Sequence, residues 1–254
     1  MTTLTVLGSA GGAPTRTNPA SGYLVESEGT AIWLDAGTGT FMELARHTDP
    51  GTLAAVVLSH IHVDHCTDVF GLYGYLAFGP SGIVPVPVFG PSGAAEHLSA
   101  FARAGEEHVF HTVLDLIDVE VGFEANIGAV SIRFGRAIHP VPAVVTRFDT
   151  PDGSIVYSGD TGPGSDLVEL AGNADVLLCE ATIAGERSAQ TYPYHLTAGE
   201  AGRVAAEAGV SQLIVTHLAS GVDADRALEE AAVEFRGKIS LAAPGTIFTI
   251  GGET

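Results

Sequence analysis

Four side chains able to bind a metal crowd into the stretch His60-Ile61-His62-Val63-Asp64-His65, directly after the apolar run at residues 53–58. A strand leading out of that run sends alternate side chains to one side, so His60 and His62 face the same way and can grip one ion. Asp64 and His65 follow one turn later, where a tight loop into a helix carries them towards a second ion. The spacing reads as a two-metal site. Such a site needs further donors, and the ends of apolar strands are the places to find them. Three residues qualify: His139 after Ala137-Ile138, Asp160 closing residues 155–160, and His217 closing residues 213–217. Asp160 suits a bridging position, because a carboxylate offers two oxygens whereas a neutral imidazole has one free nitrogen.

Other candidates carry less chemistry. Asp35 in Asp35-Ala36-Gly37 follows a strand and reads as a turn organiser. His47, His97, His108 and His111 lack neighbouring donors and read as surface or locally hydrogen-bonded residues. Cys66 and Cys179 are too few and too far apart in the chain for a disulfide framework, and both read as reduced packing residues.

The elements that must position these donors begin with strands at 4–7, 22–25 and 32–34, separated by a Gly/Pro-rich turn at 8–14. A helix at 39–47, a buried strand at 54–58 and an apolar helix at 68–78 follow. That last helix carries Phe70, Tyr73, Tyr75 and Phe78, which can pack the core, line the cleft or meet another subunit. Residues 79–91 read as punctuation and 94–102 as a helix. Residues 123–134 read as a hairpin bending near Gly128. Strands at 144–148 and 154–157 flank a turn, and 175–178 and 212–215 are further buried strands. Helices at 197–208 and 223–235 open on the capping residues Thr197 and Asp223, and strands at 239–241 and 246–250 close the chain. Sheet with interleaved helices, then the same scheme again, predicts one α/β domain over residues 1–254: a sandwich of two mixed sheets with helices outside.

Composition bounds the function. The chain has 254 residues, of which 46% are hydrophobic, ample for a large core. No segment is long and apolar enough to span a bilayer, and the first residues enter a strand pattern without a basic signal region, so the expected location is the cytoplasm. Thirty acidic residues against eleven basic ones give a net charge of −19. Long nucleic acids require a basic footprint, and only the modest group Arg133, Arg136 and Arg147 is present. A small anionic substrate remains compatible, because divalent ions in a cleft dominate the local field.

The motif His60-Ile-His-Val-Asp-His-Cys66, the earlier Asp35-Ala-Gly37 and the later strand-end donors resemble the metallo-β-lactamase superfamily over nearly the whole chain, and within it the ribonuclease Z and cyclic phosphodiesterase branch. The resemblance implies an αββα sandwich with a binuclear centre at one edge of the sheets. It implies His60, His62 and His139 on one ion, Asp64, His65 and His217 on the other, and Asp160 shared. The ions would be zinc or manganese, about 3.5–4 Å apart. A homodimer is implied by resemblance alone.

Glu180 in Glu180-Ala-Thr182 and His195 in His195-Leu-Thr-Ala198 are not needed as ligands. Cleaving an unactivated phosphodiester needs a nucleophile, charge stabilisation and a proton for the departing alkoxide. Two ions supply the first two, with Asp64 orienting the water. A histidine held by a carboxylate can supply the third. Glu180 and His195 match the residues that do so in ribonuclease Z-like enzymes. Ribonuclease Z also carries a long basic arm between the positions of His139 and Asp160, where this chain holds only a hairpin. The expected function is therefore a binuclear metal-dependent phosphodiesterase acting on a small diester, with a cyclic nucleotide favoured. The alternatives are a lactonase or thioesterase on the same metals and a ribonuclease Z-like nuclease. An iron oxidoreductase is disfavoured by His62, where diiron members resemble a His-x-Glu pattern. A non-enzymatic metal-stabilised subunit is disfavoured by the undegraded donor set.

Overall fold

The computed structural model describes residues 1–79, 84–103, 107–188 and 192–251. The first half of the chain forms strands β1 (Thr2–Gly8), β2 (Ala10–Gly11), β3 (Gly22–Ser27), β4 (Thr30–Ala36), β5 (Ala55–Val57), β6 (Val86–Pro91) and β7 (Leu114–Val119). Interleaved with them are helices α1 (Thr40–His47), α2 (Val63–Cys66), α3 (Val69–Phe78), α4 (Ala94–Ala102) and α5 (Glu107–Val113). The second half forms β8 (Glu124–Ile127), β9 (Val130–Arg136), β10 (Val144–Thr150), β11 (Gly153–Tyr157), β12 (Val176–Glu180), β13 (Gln212–Thr216), β14 (Leu218–Ala219), β15 (Lys238–Leu241) and β16 (Ile247–Ile250). Its helices are α6 (Leu167–Leu170), α7 (Ala198–Ala208) and α8 (Ala224–Glu234).

Two seven-stranded sheets result among the described residues, in the orders β16-β1-β3-β4-β5-β6-β7 and β15-β13-β12-β11-β10-β9-β8. Each is mixed. The first is antiparallel from β16 to β4 and parallel from β4 to β7. The second is parallel from β15 to β11 and antiparallel from β11 to β8.

Side-chain alternation builds three layers of core. Along β4, Ile32 and Leu34 turn inward to meet Phe134, Phe148, Tyr157 and Leu178 of the opposite sheet, while Trp33 between them turns outward to Leu44 and the helices. On the far side, Val156, Leu177 and Val215 pack against the small residues Ala201, Ala205, Ala227 and Ala231 of α7 and α8. Both faces of each sheet are covered, so the central strands are apolar throughout rather than alternating with polar residues. This is the αββα sandwich expected from the sequence.

The helix caps follow local chemistry. Thr197 and Glu200 form a reciprocal capping box at the start of α7, Gly209 ends that helix at φ 67°, and Asp223 accepts from two backbone N–H groups at the start of α8. The expected hairpin forms between β8 and β9, with Gly128 at φ 55° in its turn.

Several elements depart from the sequence expectation, β6, β7 and α5 among them. The interior strand β6 contains Pro87 and Pro91, residues that lack an N–H for the ladder and so read as breakers. Strand β7 carries the exposed acidic residues Asp115 and Asp118 among Leu114, Leu116, Ile117 and Val119, in keeping with a charged sheet edge. Helix α5 precedes it, in a stretch for which the sequence reading gives no element. Among the aromatic residues of α3, Phe70 meets Phe101 and Phe110, Tyr73 meets Phe78 and Phe110, and the Tyr75 hydroxyl donates to Asp49, while Phe78 is largely exposed. Cys66 and Cys179 are buried free thiols, and burial pushes Cys66 up to about 11. Among the described residues no helix is long and apolar enough to cross a membrane.

Candidate metal centre

The donors singled out in the sequence arrive from strand ends. His60 lies just beyond β5 in an isolated bridge with Ala143, His62 precedes α2, and the short α2 turns Asp64 and His65 into the interior. His139 follows β9, Asp160 follows β11, and His217 directly follows β13.

Tight backbone approaches make this convergence possible. Gly159, at φ 52°, packs so closely that a Cβ would stand 2.7 Å from the Ser59 Cβ. Gly37 lies against the carbonyl of Asp64, where a Cβ would come within 2.0 Å of its oxygen. That contact explains the glycine of Asp35-Ala-Gly37. Asp35 and His217 both sit at positive φ, 52° and 56°, a conformation that costs an ordinary residue free energy and must be held by its surroundings.

Seven side chains meet in one cluster. His62 Nδ1 stands 3.1 Å from both His60 Nε2 and His139 Nε2. His65 Nε2 stands 3.2 Å from His217 Nε2, and Asp64 Oδ2 lies 3.4 Å from the same His217 nitrogen. Asp160 lies between the two groups, with Oδ2 3.8 Å from His60 Nε2 and Oδ1 3.4 Å from both His65 Nε2 and His217 Nε2.

These separations fit a cation. A tetrahedral ion with metal–nitrogen bonds of ~2.0–2.1 Å holds its ligand atoms roughly 3.3 Å apart. Facing imidazole nitrogens at such distances need a shared proton or a shared positive ion between them. Asp160 adds an independent sign, since its Oδ1 is buried and accepts no hydrogen bond. The donor set of imidazoles and carboxylates suits zinc and its neighbours.

The outer nitrogens are tied down separately. His60 Nδ1 lies 3.1 Å from Ser59 Oγ, His65 Nδ1 2.7 Å from Asp35 Oδ2, His139 Nδ1 3.2 Å from the Tyr194 carbonyl oxygen, and His217 Nδ1 2.8 Å from Thr182 Oγ1. Each contact fixes which nitrogen faces the cluster. The Gly12 N–H donates to Asp64 Oδ2 at 2.9 Å.

Charge follows burial and proximity. Burial, with the charge of His65, lowers His60 well below the ordinary imidazole value, and burial takes His139 down to about 4. Burial opposes the protonation of His65 too, but the carboxylates of Asp160 and Asp35 outweigh it and raise that residue. Burial would raise Asp64 and Asp160, yet the neighbouring histidines His65 and His217 hold both well below the usual carboxylate range.

Beside this cluster lies the other expected pair. Glu180 is fully buried at the end of β12, and its oxygens stand 3.1 and 3.2 Å from His195 Nδ1. The same carboxylate accepts the Thr161 N–H at 2.7 Å and the Thr182 hydroxyl at 2.6 Å. The His195 ring stacks on His217, with centroids 5.8 Å apart. Burial pulls His195 down, but the hydrogen bond and charge of Glu180 outweigh it and leave the imidazole raised above its ordinary value.

Several supporting residues carry no motif that sequence reasoning detects. Asp35 does not organise a turn; its carboxylate accepts the Ser59 N–H and Oγ–H, the Tyr157 hydroxyl and His65 Nδ1–H. Thr182 was legible only as part of Glu-Ala-Thr. His47, His97 and His111 are exposed and away from the cluster, with His111 near Ser99, as expected; the side chain of His108 lies outside the description.

An αββα sandwich that gathers histidines and aspartates at the ends of its central strands is the architecture of a metallo-hydrolase. Residues 30–218 match the Beta-lactamase superfamily domain, and the chain belongs to that superfamily. It is 37% identical over 253 residues to an uncharacterised protein of Mycobacterium leprae, covering 97% of this chain and 88% of that one. It is 31% identical over 283 residues to a ribonuclease Z of Kineococcus radiotolerans, covering 93% and 88%. The crystal structure of the metallo-beta-lactamase fold protein YhfI from Bacillus subtilis superposes with a TM-score of 0.87 at 27% identity, covering 98% of this chain and 100% of that one. The similarities assign the chain to the ribonuclease Z-like branch.

Proposed function

We propose that this metallo-hydrolase is a binuclear phosphodiesterase for small diesters, with cyclic nucleotides as the favoured substrates. The observation that carries the reading is the Glu180–His195 pair, whose Nδ1 lies 3.9 Å from Asp160 Oδ2 at the edge of the donor cluster. A thiolate leaves an acyl carbon without such help, whereas the alkoxide leaving group of a phosphodiester must receive a proton.

His60, His62 and His139 would hold one divalent ion, Asp64, His65 and His217 the other, and Asp160 would join them. Ions held there would lower the pKa of water and offset charge on the phosphoryl oxygens. Asp64, fixed by the Gly12 N–H, orients the attacking water. Glu180 engages Nδ1 of His195, so Nε2 is the nitrogen that donates to the leaving oxygen. Thr161 and Thr182 hold Glu180 in place, which keeps the imidazole in the tautomer and orientation that proton donation requires.

The substrate size follows from the surface. Between His139 and Asp160 the chain forms only β10, β11 and their tight connections, which leaves no projecting arm for a long RNA. With a net charge of −19, an extended polyanion is repelled along most of the molecule. The ribonuclease Z relative supports phosphodiester chemistry and the acidic surface supports a compact substrate. The test is a screen of protein loaded with zinc or manganese against cyclic nucleotides, lactones and thioesters. Turnover of cyclic nucleotides is expected; turnover of lactones or thioesters alone would overturn the reading.

A further inference from the structure

Two tyrosine rings stand at the mouth of the centre without a part in the chemistry described so far. The Tyr192 ring lies 5.7 Å from the His195 ring and 5.2 Å from that of Tyr194, which in turn lies 6.3 Å from His139. Tyr192 is 52% exposed and Tyr194 is half-buried. A large ring kept in water next to the catalytic groups gains little for folding, and its face is available to a ligand.

The rim that carries them is fixed from behind. Arg187 donates to the carbonyl oxygens of Tyr192 and His195 and pairs with Glu200, the residue that completes the capping box of α7. Tyr194 offers its own carbonyl to His139. Gly162 lies so close to the Pro193 carbonyl that no side chain fits between them. The same short segment thus holds the proton donor, orients a metal donor and presents two aromatic faces.

We propose that Tyr192 and Tyr194 form a stacking wall that takes the planar base of a nucleotide substrate. The inference rests on the phosphodiesterase reading and adds what recognises the organic part of the substrate. Of the rings beside His195, His139 and His217 belong to the donor cluster and Tyr192 does not, so a phosphate at the cluster within reach of His195 leaves Tyr192 as the face for the rest of the nucleotide. Stacking also explains recognition by so acidic a protein, because an aromatic face binds a base without added positive charge.

Binding separates this inference from catalysis. Adenosine monophosphate and ribose 5-phosphate, which carry the same phosphate with and without a base, are titrated calorimetrically into the zinc-loaded protein and its Tyr192→Ala and Tyr192→Phe variants. The original protein and Tyr192→Phe are expected to prefer the base-bearing ligand. Tyr192→Ala is expected to reduce that preference about ten-fold, the loss associated with one base–aromatic stack. Equal affinity for the two ligands in the original protein, or an unchanged preference in Tyr192→Ala, would overturn the proposal. A preserved base preference in a protein that turns over no phosphodiester would instead overturn the diesterase reading and leave the stacking wall standing.

Discussion

Asp35 Oδ2 lies 2.7 Å from His65 Nδ1, and both side chains are fully buried. The same oxygen accepts the hydroxyls of Ser59 and Tyr157, and Ser59 Oγ lies beside His60 Nδ1. One carboxylate therefore sets the orientation of a donor in each half of the cluster. Replacing Asp35 with Asn keeps the size but removes an acceptor oxygen and the charge that supports His65. Zinc affinity, measured by competition with a chromogenic chelator, is expected to fall by about 10–100-fold. Unchanged affinity would show that Asp35 has no hold on the centre.

Thr182 links the two functions of the site. Its hydroxyl donates to Glu180 Oε2 at 2.6 Å and stands 2.8 Å from His217 Nδ1. Thr182→Val keeps the shape and deletes the link, so both zinc affinity and turnover of a cyclic nucleotide should decline, each by about ten-fold or more. Thr182→Ser should recover most of both. A Val variant equal to the original protein in both assays would contradict the link.

Metal removal should be visible in stability. Ions that bind only the folded chain, at about a thousand times their dissociation constant, stabilise it by about 4 kcal/mol. For a chain of this size that corresponds to an increase in Tm on the order of 10 °C. Calorimetry before and after chelation, with zinc restored as a control, measures the difference. A Tm that does not respond to zinc would argue against a resident ion.

The pH profile follows from His195. Glu180 raises the imidazole above its ordinary value despite burial, so the acid form persists to higher pH and is lost as pH rises through the raised value. Turnover of a cyclic nucleotide should therefore show a falling alkaline limb. Glu180→Gln removes the charge that sustains the protonated form and should move that limb to lower pH. A limb at the same pH in the variant would detach it from this pair.

The legibility of the site in the sequence varied with the chemistry of each part. His60, His62, His65, His139 and His217 are of a scarce residue type and, like Asp64 and Asp160, stand at or just past the ends of apolar strands, and the structure brings all seven together. Their supports are common residues or backbone groups. Tyr157, the Tyr194 carbonyl and the Gly12 N–H have no characteristic spacing because the sandwich, not the local chain, brings them into contact. Asp35 illustrates the limit, since Asp-Ala-Gly after a strand also fits a turn, and only the position of His65 reveals its partner. In the fold, the repeated strand and helix pattern was readable from hydrophobic runs. Strand β6 was not, because its prolines break the local pattern while its neighbours β5 and β7 hold it in the sheet. The edge strand β7 was hidden by the acidic residues that suit its solvent-facing position.

The central claim is that His195 donates a proton to the leaving oxygen of a phosphodiester. It is tested most directly by comparing His195→Ala with the original protein on a cyclic nucleotide and on bis(p-nitrophenyl) phosphate, whose leaving group departs without a proton. Loss of one acid is expected to lower kcat on the cyclic nucleotide by about 10²–10⁴-fold while turnover of the nitrophenyl diester falls far less. Equal losses on both substrates would contradict the assignment.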